Sequence, residues 1–193
     1  MRDFLPTLIL IIVIIGGVIL SFFGKDILEA GSNQREIREI QAEFQTVLDW
    51  HMYGDYSYGW FMSDSKFYLG RIAKLTIAEE KKACMRSMIY VGTSKAYLKN
   101  NEKPLAFQVA KTAVQECPSA EAYESLAFLH FTSFDFEQAL VVISEAKTIV
   151  NGKTDAMVRI LKMEEVLQKE VQSPGFVNRK ATHEELRRLL ATE

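Results

Sequence analysis

"SAEAYESLAFLHFTSFDFEQALVVISEAKTIVN", Ser119 to Asn151, decides the fold. Pro118-Ser119 restarts the chain as a helix, "FTSFDF" turns it near Asp135, and Phe136 to Val150 forms a second helix that stops before Asn151-Gly152. Working outward, the same arrangement recurs. Toward the N-terminus, Asn100-Asn101 breaks one helix and Pro104 suits the first turn of the next, where its missing N–H does no harm; that helix runs to about Glu116. Thr76-Ile-Ala-Glu79 reads as a capping box opening the helix through Tyr97. Further back, Asn33 with Glu36 predicts a cap for a helix from Gln34 to His51, whose Ile37, Ile40, Phe44, Val47 and Leu48 recur at three- and four-residue steps. Toward the C-terminus an amphipathic helix spans Asp155 to Val171. No alternating pattern of useful length competes, so the expected class is all-α, built from antiparallel hairpins.

Hairpins of near-constant length suggest an internal repeat. A shift of 33 residues places Tyr90 on Tyr123, Ser94 on Ala127, Tyr97 on His130, Leu98 on Phe131, Ala106 on Ala139, Ala110 on Ile143 and Ala113 on Ala146. Small falls on small and, for the most part, large on large. With Tyr123, the Leu126-Ala127 pair, Asp135-Phe136 at the turn, Ala139 and Ala146, the unit resembles the tetratricopeptide repeat (TPR) family. The preceding unit, Ser87 to Pro118, keeps Tyr90, Tyr97, Ala106, Ala113 and Pro118. Departures are Phe134 at the usual turn glycine, Asn151 at the closing proline, and Thr93-Ser94 where Leu and a small residue are expected.

The resemblance implies a short α-solenoid in which the first helix of each unit lines a concave groove for a partner peptide or helix. Those positions are Met88, Val91, Lys95, Leu98 and Lys99 in one unit and Glu121, Glu124, Phe128, Phe131 and Thr132 in the next. Apolar residues with a few charges suit such a ligand; another part of the same chain is the alternative occupant. In antiparallel hairpins Cys84 and Cys117 fall side by side. Either they are bridged, which would place them in an oxidising compartment, or they are two buried thiols.

At 193 residues, 48% hydrophobic and 25% charged, the chain has room for one good core plus an appendage. That appendage is "FLPTLILIIVIIGGVILSFF", Phe4 to Phe23, twenty residues without a charge and long enough to span a bilayer as a helix. Bulky rings in "SFFGKD" do not resemble a signal-peptide cleavage site, so a retained anchor is expected. Gly17 and Ser21 form a weak small-xxx-small pair within it. Arg2 on one flank and Lys25, Arg35 and Arg38 on the other nearly balance, so charge leaves the orientation open. With the disulfide, the expectation is a bacterial inner-membrane protein whose C-terminal domain is periplasmic; the alternative is a cytoplasmic domain.

The expected segments are the anchor (1–24), a juxtamembrane linker (25–33), the TPR-like domain (34–172), and a linker with a terminal helix (173–193). Thr182 and Glu185 form a capping box in that last helix, and Leu186, Leu189 and Leu190 share one side, suiting a solenoid cap or a partner-binding segment. A net charge of −2 and basic clusters no longer than a pair such as Arg179-Lys180 exclude a nucleic-acid footprint. His51, His130 and His183 belong to no metal or nucleophile motif, and no cofactor motif is present. His51 with Asp49 and Asp55 is the one cluster worth naming, and it lacks ligand spacing. The expectation is therefore a non-enzymatic adaptor in an envelope complex, or a structural accessory subunit whose groove is filled by itself. Finally, in "DWHMYGDYSYGWF", Asp49 to Phe61, the resemblance implies the family's interhelical turn at Gly54-Asp55-Tyr56, with Gly59 standing in for the small residue that begins close packing. Tyr53, Tyr56, Trp60 and Phe61 would then be mostly core, in a decayed first unit that begins near Gln41 and is followed by an insertion before Thr76. A partner-binding rim is the alternative, and a membrane-interface belt is disfavoured because the Gln34 to His51 helix would lift Trp50 roughly 25 Å away unless it folds back.

Overall fold

The computed structural model describes residues 31–149 and 155–172. The expected membrane span Phe4–Phe23, most of the juxtamembrane linker and the terminal helix Thr182–Ala191 lie outside the described residues. All the regular structure described is helical: α1 (31–53), α2 (Tyr58–Lys74), α3 (Glu79–Lys99), α4 (Lys103–Glu116), α5 (Ala120–Thr132), α6 (Phe136–Ile149) and α7 (Asp155–Gln172). None of these helices is long and apolar enough to cross a membrane.

The pattern of packing reveals the architecture. Each helix from α2 onward packs on its successor, and α3 also packs on α5 and α5 on α7, while α2, α4 and α6 do not touch one another. The odd-numbered helices therefore form an inner layer and the even-numbered ones an outer layer. On the N-terminal side α1 joins the inner layer by seating Phe44 and Leu48 on Gly92 of α3. A methyl group at Gly92 would lie 2.6 Å from the Phe44 ring, so glycine is what permits this approach.

Backbone geometry repeats with the 33-residue period. After α3, Glu102 N–H donates to Tyr97 O (2.8 Å) and Asn101 N–H to Leu98 O (3.0 Å); after α5, Asp135 N–H donates to His130 O (2.9 Å) and Phe134 N–H to Phe131 O (3.0 Å). These bonds close the helix ends around one left-handed residue each, Asn101 at φ 61° and Phe134 at φ 58°. Phe134 thus takes the backbone conformation that a turn glycine would supply without strain.

Small residues set the helix crossings. Ser94 and Ala127, Ala106 and Ala139, and Ala113 and Ala146 are all buried at equivalent places. The serine that departs from the repeat pattern is accommodated because its hydroxyl donates to Ala106 O (3.1 Å), and Ser87 likewise donates to Ala113 O (2.8 Å). Both buried hydroxyls are satisfied across the α3–α4 interface, which removes the penalty of burying them.

Several local expectations need correction. Asn33 is no cap: α1 is already helical at residue 31, and the Asn33 side chain donates to Thr76 O (3.0 Å) instead. Thr76 opens no helix either, since the residue preceding α3 is Ala78, without a side-chain cap. The supposed insertion before Thr76 is a regular helix, α2, capped by Ser57 accepting from Trp60 N–H. It pairs with α1 through Arg71, which reaches Glu43 (2.5 Å) and Glu36 (3.8 Å).

Candidate functional site: the inner groove

Three hollows lie in a row along the inner layer. The first, about 310 Å³ between α1 and α3, is lined by Gln41, Phe44, Gln45, Leu48, Met88, Val91, Gly92 and Lys95, with Cys84 and Cys117 in its wall. The second, about 220 Å³ between α3 and α5, is lined by Ser94, Lys95, Leu98, Glu121, Glu124, Ser125, Phe128, Leu129 and Met163. The third, about 230 Å³ between α5 and α7, is nearly all apolar: Phe128, Phe131, Met163, Val166 and Leu167, with Lys162 at its edge. Lys95 and Glu121 line both of the first two hollows, and Phe128 and Met163 both of the last two. The three hollows therefore form one continuous track.

Of the ten positions expected to line a groove, eight border this track. Met88 and Val91 face the first hollow; Lys95, Leu98, Glu121, Glu124 and Phe128 the second; Phe131 the third. Lys99 and Thr132 do not. The Lys99 ammonium donates to the carbonyls of His51 and Met52 (3.2 Å for the latter), closing the C-terminal end of α1. Thr132 hydroxyl donates to Leu129 O (3.0 Å), and its carbonyl accepts from Lys103 Nζ (3.3 Å), so it finishes α5 rather than facing a ligand. Val91 and Phe131 serve two purposes: Val91 is buried against Ala113 and Ala122, and Phe131 packs on Phe136 at 5.5 Å between ring centroids.

Electrostatics sharpen the centre of the track. Arg159 of α7 bonds Glu124 (3.0 Å) and Glu121 (3.3 Å), tying α7 to α5. Burial raises the Glu124 carboxyl above the ordinary carboxylate range, against the opposing pull of Arg159. The exposed Lys95 sits across the hollow from this pair, where it too draws on the Glu124 charge.

Cys84 and Cys117 are joined with Cα atoms 4.7 Å apart. Cys84 lies inside α3, which begins five residues earlier than its disulfide, and the link fastens that extension to the end of α4. Neighbouring it, Arg86 bridges Glu79 (2.8 Å) and Glu116 (2.7 Å).

The aromatic stretch divides. Phe61 is fully buried, and His51 is buried with its ring stacked on Phe61 at 4.8 Å and its Nδ1 3.0 Å from Tyr56 O. Asp49 accepts from Gln45, one helical turn back along α1. Tyr56 is half-buried, donating to Asp64 (2.5 Å). Tyr53 and Trp60, expected in the core, are instead 87% and 67% exposed, and a Cβ at Gly59 would meet nothing. Among the described residues no group of three or more His, Cys, Asp or Glu is arranged to hold a metal ion.

Sequence reasoning missed both walls of the track, α1 and α7. Gln41 and Gln45 recur one helical turn apart beside the core stripe of α1, a signal that was present but reads as an ordinary pair of boundary residues. No family model, curated protein or solved structure matches this chain.

Proposed function

We propose that the protein is a membrane-anchored, TPR-like adaptor that holds an extended peptide or helix of a partner protein in its inner groove. The observation that carries the reading is the continuous, mostly apolar track across α1, α3, α5 and α7, with Phe128 45% exposed at its middle and Lys95 beside it. Monomeric surfaces seldom leave such rings uncovered in a concavity without use for them. Repetition of the turn geometry at 33 residues supports the TPR reading. The apolar Phe4–Phe23 segment supports an anchor, and the Cys84–Cys117 link supports an oxidising compartment, hence a periplasmic domain in a bacterial envelope complex. The ligand's apolar side chains fill the hollows and a carboxylate meets Lys95.

A crosslinking pull-down from membranes tests this. Phe128→Glu with Lys95→Glu abolishes partner capture while leaving the helical signal intact; retention of every partner rejects the groove. Phe128 is the better probe than Phe131, whose packing on Phe136 makes its loss a stability defect as well. One observation favours a second reading, a structural accessory subunit: Met163 and the Arg159 pairs already bring α7 into the track. Under that reading the double variant keeps all its partners and removal of the anchor segment loses them.

A further inference from the structure

We infer that the outer face of the α1–α2 hairpin rests on the bilayer, with Trp50, Tyr53, Trp60 and Phe67 seated among lipid headgroups. These four rings are 58%, 87%, 67% and 60% exposed, a concentration of large uncovered aromatics on one hairpin.

They share a side. On α1, Glu36, Glu43 and Trp50 recur every seven residues along one edge; on α2, Trp60, Phe67 and Arg71 fall on one face at seven- and four-residue steps. Arg71 bridges Glu36 and Glu43, so the two edges abut, and Trp50 lies on the same side of the hairpin as Trp60 and Phe67. The Arg71 guanidinium sits 5.9 Å from the Phe67 ring, and Trp50 packs on Tyr56 at 6.3 Å. Among the described residues α2 packs on α3, is tied to α1 by Arg71 and meets the N-cap of α4 through Tyr58 and Glu102, contacts that leave Trp60 and Phe67 exposed.

Chain length supplies the occupant. The apolar segment ends at Phe23, eight residues before the described start of α1. Fully extended, that tether reaches roughly 28 Å, so the start of the hairpin stays within that distance of the end of the apolar segment. Tryptophan and tyrosine with apolar bodies and polar N–H or O–H edges partition to the headgroup level. An upright α1 would hold Trp50 about 28 Å above its own residue 31; a recumbent one puts the rings in contact. The inference rests on the anchor in the proposed function, and the test separates the two.

Trp50 and Trp60 are the two tryptophans of the chain, so its intrinsic fluorescence reports this face directly. The full-length protein is reconstituted in phosphatidylcholine–phosphatidylglycerol vesicles, with or without lipids brominated near the top of the acyl chains. Flotation through alkaline carbonate is measured on the same samples. The expected result is flotation, with emission shifted to the blue, strongly quenched by bromolipid and weakly by aqueous iodide. Trp60→Ser with Phe67→Ser restores iodide access to Trp50 without affecting flotation. Flotation with tryptophans open to iodide and untouched by bromolipid overturns the bilayer contact alone and leaves the patch as a protein-docking surface. Failure to float overturns the anchor and the contact with it.

Discussion

Gly92→Ala tests the packing of the first hairpin on the repeat units. In an ordinary helix the substitution stabilises by up to about 1 kcal/mol, because glycine loses more backbone freedom on folding. Here the new methyl group lies 2.6 and 2.7 Å from two atoms of the Phe44 ring and 3.3 Å from a Leu48 methyl. That ring is buried and boxed by Phe61 (6.0 Å) and Tyr68 (5.8 Å), so it has little room to retreat. Overpacking of this kind costs about 1–3 kcal/mol, so against a propensity gain of about 1 kcal/mol the net loss is about 1 kcal/mol at the middle of that range and about 2 kcal/mol at its top. For a domain of this size that lowers Tm by roughly 3–6 °C. Phe44→Leu removes the clashing ring atoms, at a fraction of the about 3–5 kcal/mol that Phe→Ala costs. In that background Gly92→Ala should change sign and stabilise. Urea unfolding of the protein in mild detergent, followed by circular dichroism, reads all four corners of the cycle. A Gly92→Ala effect that is stabilising in both backgrounds would show that α1 does not seat on α3 as described.

Other perturbations have defined signs. Reduction of Cys84–Cys117, or Cys84→Ser with Cys117→Ser, should destabilise by roughly 3–4 kcal/mol on the loop-entropy estimate for a 33-residue separation, visible as a Tm drop with reductant in the native protein and none in the double variant. Phe134→Gly relieves a left-handed non-glycine residue while removing a 46% exposed ring that packs on Phe136; it should leave the urea midpoint unchanged or raise it by up to about 1 kcal/mol equivalent, and a large loss would refute the strain assignment. Ser94→Leu, at the buried α3–α4 crossing, should cost at least about 3 kcal/mol through overpacking and the lost bond to Ala106 O, whereas Ser94→Ala should cost about 1 kcal/mol, both by urea titration. The Glu124 carboxyl is raised in the fold, so the native state holds a proton that the unfolded chain has already released; stability should fall as pH rises from the ordinary carboxylate range through the raised folded value. Glu124→Gln should flatten that slope in a pH series of thermal melts.

How much of this was written in the sequence varies by element. Ser119 after Pro118 announced α5, and its hydroxyl accepts from Ala122 N–H as a cap should. The alanines at 106, 113, 139 and 146 announced the crossings, because a helix pair can approach only where bulk is missing. By contrast α2 was hidden. Its span reads as an insertion because Gly59, Gly70, Ser63, Asp64 and Ser65 are weak helix formers, yet its packing on α1 and α3 outweighs propensity. The exposed rings were illegible for a related reason: Trp60 and Phe67 lie off the buried stripe of Phe61, Ser65 and Tyr68 on α2, and aromatic content alone does not say which face is inward. Thr76 failed as a cap because α3 begins only at Glu79, with Ala78 at the cap position, two residues beyond the threonine. At the groove, α3 and α5 were readable from the repeat register, but α1 and α7 became walls only through chain-distant contacts such as Gly92 with Phe44 and Arg159 with Glu124.

The central claim is that the inner face, and not the outer one, receives a partner. A photo-crosslinking amino acid at Phe128 in the groove, compared with one at Val141, an exposed position on outer helix α6, tests it in intact membranes. A discrete protein adduct at Phe128, absent at Val141 and lost with Lys95→Glu, is the predicted result. Equal adducts at both positions, or an adduct at Val141 alone, would contradict it.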